Sequence, residues 1–225
     1  DPKTGDILAM ASKPSFDTNL LAVHSGAKAS ANMEELQSVP GLSPYVNRPT
    51  ASLAAPGSTF KLIDTVAMLE SGQYQPDSVL EVPDTITLPN SNTQLGNFGG
   101  GLCGNFSQTT LAEIFAQSCN TPFATAAMEL GQDRIRTTAE NFGFNESFDI
   151  PLTVSGSQFP EDMDDAELAQ SALGQRNVKA TALQMNMVAA AIANDGTLMK
   201  PQLIDSIRGS DLTLLEETEP EVLKR

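Results

Sequence analysis

The sequence has no tryptophan, one histidine and two cysteines, and aromatic residues fill only 5% of its 225 positions. Each shortage excludes some chemistry. A single His24 rules out a histidine-rich metal site and confines any Ser-His-Asp triad to its own surroundings. It stands in a polar stretch after "LLAV", where a lone imidazole reads as a surface or cap residue. Cys103 and Cys119 alone offer no zinc-binding spacing. Basic residues are scarce as well. Lys and Arg number 13 against 28 Asp and Glu, a formal net charge of −15, which argues against nucleic acid or an anionic membrane surface as partner. No apolar run is long enough to span a bilayer, and no charged-then-apolar leader opens the chain. The first residue is not Met, so the chain reads as a piece of a longer one and the missing leader says little about location.

What is present describes a globular protein. Hydrophobic residues make up 40% of the chain, enough for one domain, with room at most for a small appendage. "DPKTG" has turn composition, and "ILAMAS" reads as a short apolar strand ended by Pro14. "SFDTNLL" starts a loop or short helix, and residues 26–50 are polar with one weak helical stretch near "NMEELQS". From Ser58 to Leu69 the apolar residues follow a helical stripe that Gly72 closes. Residues 73–107 read as loop and short hairpin outside the core. Thr110 with Glu113 forms a capping box, opening a helix that breaks at "QSCNTP" and resumes until Gly131. Further helices are expected over 133–141, at "DDAELAQSALGQ", and from a Thr181–Gln184 cap to Gly196. The acidic "LLEETEPEVLKR" reads as a solvated tail or the start of a connection.

Two short patterns carry chemistry. "PGSTFK" places Ser58 and Lys61 three residues apart at a helix start, on one face. A serine hydroxyl needs a base to become a nucleophile, and a lysine becomes that base when its pKa falls. Burial beside the positive end of a helix disfavours the ammonium. The preceding Pro-Gly turns the backbone so that the Ser58 N–H can help bind an oxyanion. Read singly, Ser58 is as well explained as an N-cap with Lys61 exposed. The second pattern, Ser118-x-Asn120, falls in the break between two helices, about sixty residues on. Ser118 could relay a proton there, and Asn120 could hold a substrate amide or orient Lys61; an ordinary helix cap is the simpler reading.

Together and in order, these patterns resemble the transpeptidase domain of penicillin-binding proteins. "DPKTGDILAMASKPSFDTN", "NRPTASLAAPGSTFKLIDTVAMLESG", "FAQSCNTPFA" and "ALGQRNVKATALQMNMVAAAIANDGTLMKPQLI" extend the resemblance over most of the chain. The glycine-rich "LGNFGGGLCG" is most similar to the class B, actinobacterial penicillin-binding protein A group. The resemblance implies an α+β fold of the β-lactamase/transpeptidase kind, with helices around a mostly antiparallel sheet. Residues 1–225 would be a partial domain, incomplete at both ends, supplying the helices and one or two strands. It implies no cofactor and no metal, and catalytic roles for Ser58, Lys61, Ser118 and Asn120. The reaction implied is acyl transfer from D-Ala-D-Ala stem peptides of peptidoglycan through a Ser58 acyl-enzyme, with β-lactams entering the same path. Location would be the extracytoplasmic face of the bacterial membrane, anchored by an N-terminal segment, beside cell-wall synthesis partners such as a glycosyltransferase.

That location permits a disulfide between Cys103 and Cys119, with a free thiol pair as the alternative. The family's Lys-Thr-Gly lies beyond "NDGTLMKP", so Lys3-Thr4-Gly5 is expected to be a turn, and residues 1–225 alone are expected to be inactive. Arg176 stands where the family often has Gly, which leaves the part played by Gly174-Gln175 open. Two sister readings remain, a D,D-carboxypeptidase or a serine β-lactamase, in which water takes the acyl group. The absence of a recognisable Glu-containing deacylation motif disfavours the β-lactamase. A non-catalytic penicillin-sensing or scaffold domain is a further alternative.

Overall fold

Side chains that accept backbone N–H groups begin four of the α-helices in the computed structural model, which describes residues 1–148 and 150–225. Ser25 caps α1 (Gly26–Ser38), and α2 (Arg48–Ala51) starts with a proline in its first turn. A 3₁₀ turn over Gly57–Phe60 leads into α3 (Lys61–Glu70). Thr110 accepts from the Glu113 N–H to cap α4 (Leu111–Gln117). Then come α5 (Thr121–Leu130) and α6 (Gln132–Asn141), separated by Gly131 at φ +81°. Asp164 caps α7 (Asp165–Ser171), and Thr181 caps α8 (Ala182–Ala193).

Eight short strands complete the α+β fold: β1 (Val79–Glu81), β2 (Thr85–Thr87), β3 (Gln94–Gly96), β4 (Gln108–Thr110), β5 (Leu198–Met199), β6 (Ser206–Arg208), β7 (Leu214–Glu217) and β8 (Val222–Lys224). Among the described residues they form four antiparallel pairs, β1–β4, β2–β3, β5–β8 and β6–β7. This is more strand than the one or two expected. The acidic C-terminal stretch is not a loose tail either. It supplies β7 and β8, and Lys200–Glu221 and Lys224–Glu146 ion pairs lie alongside.

Other sequence expectations also change. The weak helix near "NMEELQS" begins earlier in the chain, at Gly26, because Ser25 provides a cap and "AKASA" favours helix. "ILAMAS" forms no strand among the described residues. Strands need a ladder partner, and among the described residues the backbone here pairs with Gln202 at Asp6 and Ile7 and no further along, leaving Leu8 80% exposed. Residues 73–107 contribute to the core after all. Tyr74 and Val82 pack with Met68, Leu111, Ile114 and Phe123, while Leu88 packs with Ala124 and Ala169.

The largest cluster positions the 3₁₀ turn. Phe60, wholly buried, stacks on Phe159 at 5.5 Å between centroids and meets the edge of Phe144 at 5.6 Å. Burying such a ring stabilises by about 1.5–3 kcal/mol, so the residue two places after Ser58 is a firm anchor. Helix α3 then packs against α5 and α6, and α5 against α7.

Candidate active site

Ser58 lies in the 3₁₀ turn and not, as the helical stripe suggested, in the α-helix itself. The change suits the pairing with Lys61, since side chains three apart eclipse when a turn holds three residues. The Ser58 side chain is exposed and forms no hydrogen bond among the described residues. The turn is held from both sides. The Gly57 N–H donates to the Gly174 carbonyl at 2.9 Å, and Ala54 and Ala180 exchange backbone bonds at 3.0 and 2.8 Å. Gly174, at φ +65°, comes so close that a Cβ would stand 2.1 Å from the Gly57 oxygen. Glycine is required there. Arg176 takes φ +56°, a conformation in which glycine is at ease, and its guanidinium pairs with Glu167 at 3.4 Å.

Lys61 is 1% exposed. Its ammonium donates to the Ser118 carbonyl at 2.7 Å, to Asn120 Oδ1 at 2.7 Å and to Ser118 Oγ at 3.2 Å. It also lies 5.6 Å from the centroid of the Phe123 ring. Burial brings its pKa down to about 8, with the nearby Asp64 opposing. Asp64, one turn further along α3, is buried with neither carboxylate oxygen hydrogen-bonded among the described residues. Burial pushes its carboxyl well above the usual range, with Lys61 opposing. Both groups are therefore driven toward their neutral forms, for the same reason.

Ser118 ends α4 in the left-handed conformation, φ +56°, which is uncommon for a side chain other than glycine. The bend aims both its oxygens at Lys61. Cys119, next in line, is disulfide-bonded to Cys103, with S–S 2.06 Å and Cα–Cα 5.5 Å. Asn120 Nδ2 donates to the Gly96 carbonyl at 3.0 Å, and Asn97 Oδ1 accepts from the Asn120 N–H at 2.9 Å. The structure thus joins Lys61, Ser118 and Asn120 directly, with Ser58 on the adjoining turn.

The tripeptide Lys3-Thr4-Gly5 belongs to a different part of the molecule. The Gly5 N–H donates to Asp1 O, Thr4 Oγ1 to Asp6, and the Gln202 N–H to Gly5 O. A Cβ on Gly5 would stand 2.0 Å from the Lys200 oxygen, and φ is +85°. His24 is exposed just before the α1 cap. Among the described residues no group of His, Cys, Asp or Glu could hold a metal ion. Asn97 and Asp64 went unnoticed in the sequence. One lies in a stretch that reads as loop, and the other in a stripe that reads as an ordinary helix.

Comparison with known proteins gives the family. The family model of the penicillin binding protein transpeptidase domain matches residues 1–225, and the chain belongs to that family. It is 42% identical over 226 residues to the peptidoglycan D,D-transpeptidase PbpA of Mycolicibacterium smegmatis, covering 100% of this chain and 46% of that protein. Penicillin-binding protein A from M. tuberculosis, solved as an imipenem acyl-enzyme complex, superposes with TM-score 0.95 at 38% identity, covering 100% of this chain and 51% of that one. A chain of a peptidoglycan synthase complex, in a structure on the coordination of polymerization and crosslinking, matches with TM-score 0.83 at 28% identity, over 100% and 38%. The chain spans under half the length of the curated relative.

Proposed function

We propose that this chain is the nucleophile-bearing part of a peptidoglycan D,D-transpeptidase. The observation that carries the reading is the buried Lys61 ammonium, gathered onto Ser118 and Asn120 beside an exposed Ser58. A lysine kept out of water, its pKa brought down to about 8, serves as a base near neutrality. In this reading the neutral Lys61 amine takes the Ser58 proton as Oγ bonds to the carbonyl carbon between two terminal D-Ala residues. The Ser58 N–H, which has no intrahelical acceptor at the head of its turn, helps bind the oxyanion. As the tetrahedral intermediate collapses, the C–N bond breaks and the departing D-Ala amine takes a proton from Lys61 by way of the Ser118 hydroxyl. An amine from a neighbouring stem peptide then attacks the ester, and Ser58 recovers its proton.

β-Lactams would form the same ester bond, in keeping with the imipenem acyl-enzyme of the M. tuberculosis protein. The disulfide and the family relationship support a place on the extracytoplasmic face of the membrane. The match to a synthase complex supports a glycosyltransferase as working partner. Among the described residues no helix is long and apolar enough to cross a membrane.

The test is to incubate the natural full-length protein with a stem pentapeptide donor ending in D-Ala-D-Ala and an amine acceptor. Mass spectrometry is expected to find released D-Ala and the acceptor joined to the donor. Hydrolysed donor alone would point to a carboxypeptidase, and an unchanged donor would sink the catalytic reading.

A further inference from the structure

Asn97 follows β3 directly, is 8% exposed, and joins three segments. Its Oδ1 accepts the Asn120 N–H at 2.9 Å, the Thr121 N–H at 3.2 Å and, more weakly, Thr121 Oγ1 at 3.4 Å. Its Nδ2 donates to the Pro83 carbonyl at 3.1 Å and to the Gly101 carbonyl at 3.3 Å. Both protons and the oxygen of the amide are engaged, so its orientation is fixed. Asparagine at a helix N-cap usually turns its own side chain onto the N–H of the second or third helical residue. Asn120 occupies the N-cap of α5 and makes no such bond. Asn97, 23 residues away in sequence, holds instead the N–H groups of Asn120 itself and of Thr121. The Asn120 side chain turns away from its own helix. With Nδ2 held by Gly96 O, the Oδ1 atom remains to accept from Lys61.

We propose that Asn97 is a positioning residue for acylation. It fixes the backbone of Asn120 and Thr121, so that the Asn120 amide is placed to hold Lys61, and it ties the glycine-rich hairpin to the Ser118–Asn120 turn. Asn97 touches neither the nucleophile nor its base. The assignment rests on the reading of Ser58 and Lys61 given above. Without Asn97, the backbone at Asn120 and Thr121 would lose its fixed seat, and the hairpin carrying Gly96 O would come loose. Lys61 would lose an acceptor and gain water.

The test compares second-order acylation by a fluorescent penicillin, as a function of pH, in the natural full-length protein and in Asn97→Ala, alongside thermal melting. The variant is expected to acylate more slowly by up to about 10²-fold, the scale of a small misplacement of reacting groups. Its pH–rate limb should also move upward, as hydration carries Lys61 back toward an ordinary lysine. A role confined to stability would lower the melting temperature and leave the rate and limb of the folded fraction unchanged, which would overturn the proposal. Should Asn97→Ala not fold, Asn97→Asp decides. Aspartate keeps the acceptor for the Asn120 and Thr121 N–H groups and is welcome at a helix N-terminus, but it cannot donate to Pro83 or Gly101. Its second oxygen faces those two carbonyls, so it should melt below the parent and, read where it is folded, still acylate about tenfold more slowly at a pH well above the limb. A parental rate there would overturn the tether. A parent protein that penicillin does not acylate would overturn the nucleophile assignment and this role with it, whereas a normal parent with an unchanged Asn97→Ala overturns this role alone.

Discussion

Among the described residues Lys61 has no carboxylate paired to its ammonium; its hydrogen bonds go to one backbone carbonyl, one amide oxygen and one hydroxyl. Neutral acceptors stabilise the ammonium less than a carboxylate would, and burial outweighs them. Asp64 opposes that shift, and burial pushes its own carboxyl well above the usual range. A base works in its unprotonated form, so the sign follows directly. The acylation rate should rise with pH through about 8 and fall by about tenfold per unit well below it. Lys61→Ala should slow acylation by about 10²–10⁴ and abolish that limb. Stopped-flow acylation across pH checks both, and a parent limb centred near an ordinary lysine would contradict the buried-base account. The Ser58–Lys61 spacing was legible in the sequence because neighbours three apart meet on any helical turn. Asn97 was not, because its meaning depends on partners a hairpin away.

Among the elements, the turn between α4 and α5 is the most constrained. It combines a left-handed Ser118, a disulfide through Cys119, and an α5 whose first N–H is held from another segment. Closing a loop of this size removes about 3 kcal/mol of unfolded-chain entropy. Cys103 and Cys119 should be bridged in protein made in an oxidising compartment, and non-reducing mass spectrometry showing two free thiols would contradict this. Reduction should slow acylation more than it lowers stability, since the bond sits beside Lys61's acceptors and not at the centre of the Phe60 cluster. Helix ends at Thr110, Thr181, Gly131 and Gly196 were readable, because caps and left-handed glycines act locally. Strands β7 and β8 were not. Their acidic, exposed residues read as tail, and only pairing with β5 and β6 makes them strands.

At the scale of the whole molecule, residues of α3, α5 and α8 share the core cluster that buries Phe60, while Ser58 and Thr59 of the same 3₁₀ turn are exposed. The family and the α+β class were readable from the order of the two motifs and the stretches around them. The core contribution of residues 73–107 was hidden, since Val82 and Leu88 each stand before a proline at the end of a three-residue strand, too short a run to show which face is buried. An acidic surface with net charge −15 fits a protein that is not drawn to anionic polymers through charge. The central claim is that Ser58 is the nucleophile, and its most direct measurement is the site of covalent attachment. The natural full-length protein is treated with penicillin, digested and mapped by mass spectrometry. The account predicts one adduct, on the peptide containing Ser58, lost in Ser58→Ala. An adduct on any other residue, or labelling that survives Ser58→Ala, would contradict it.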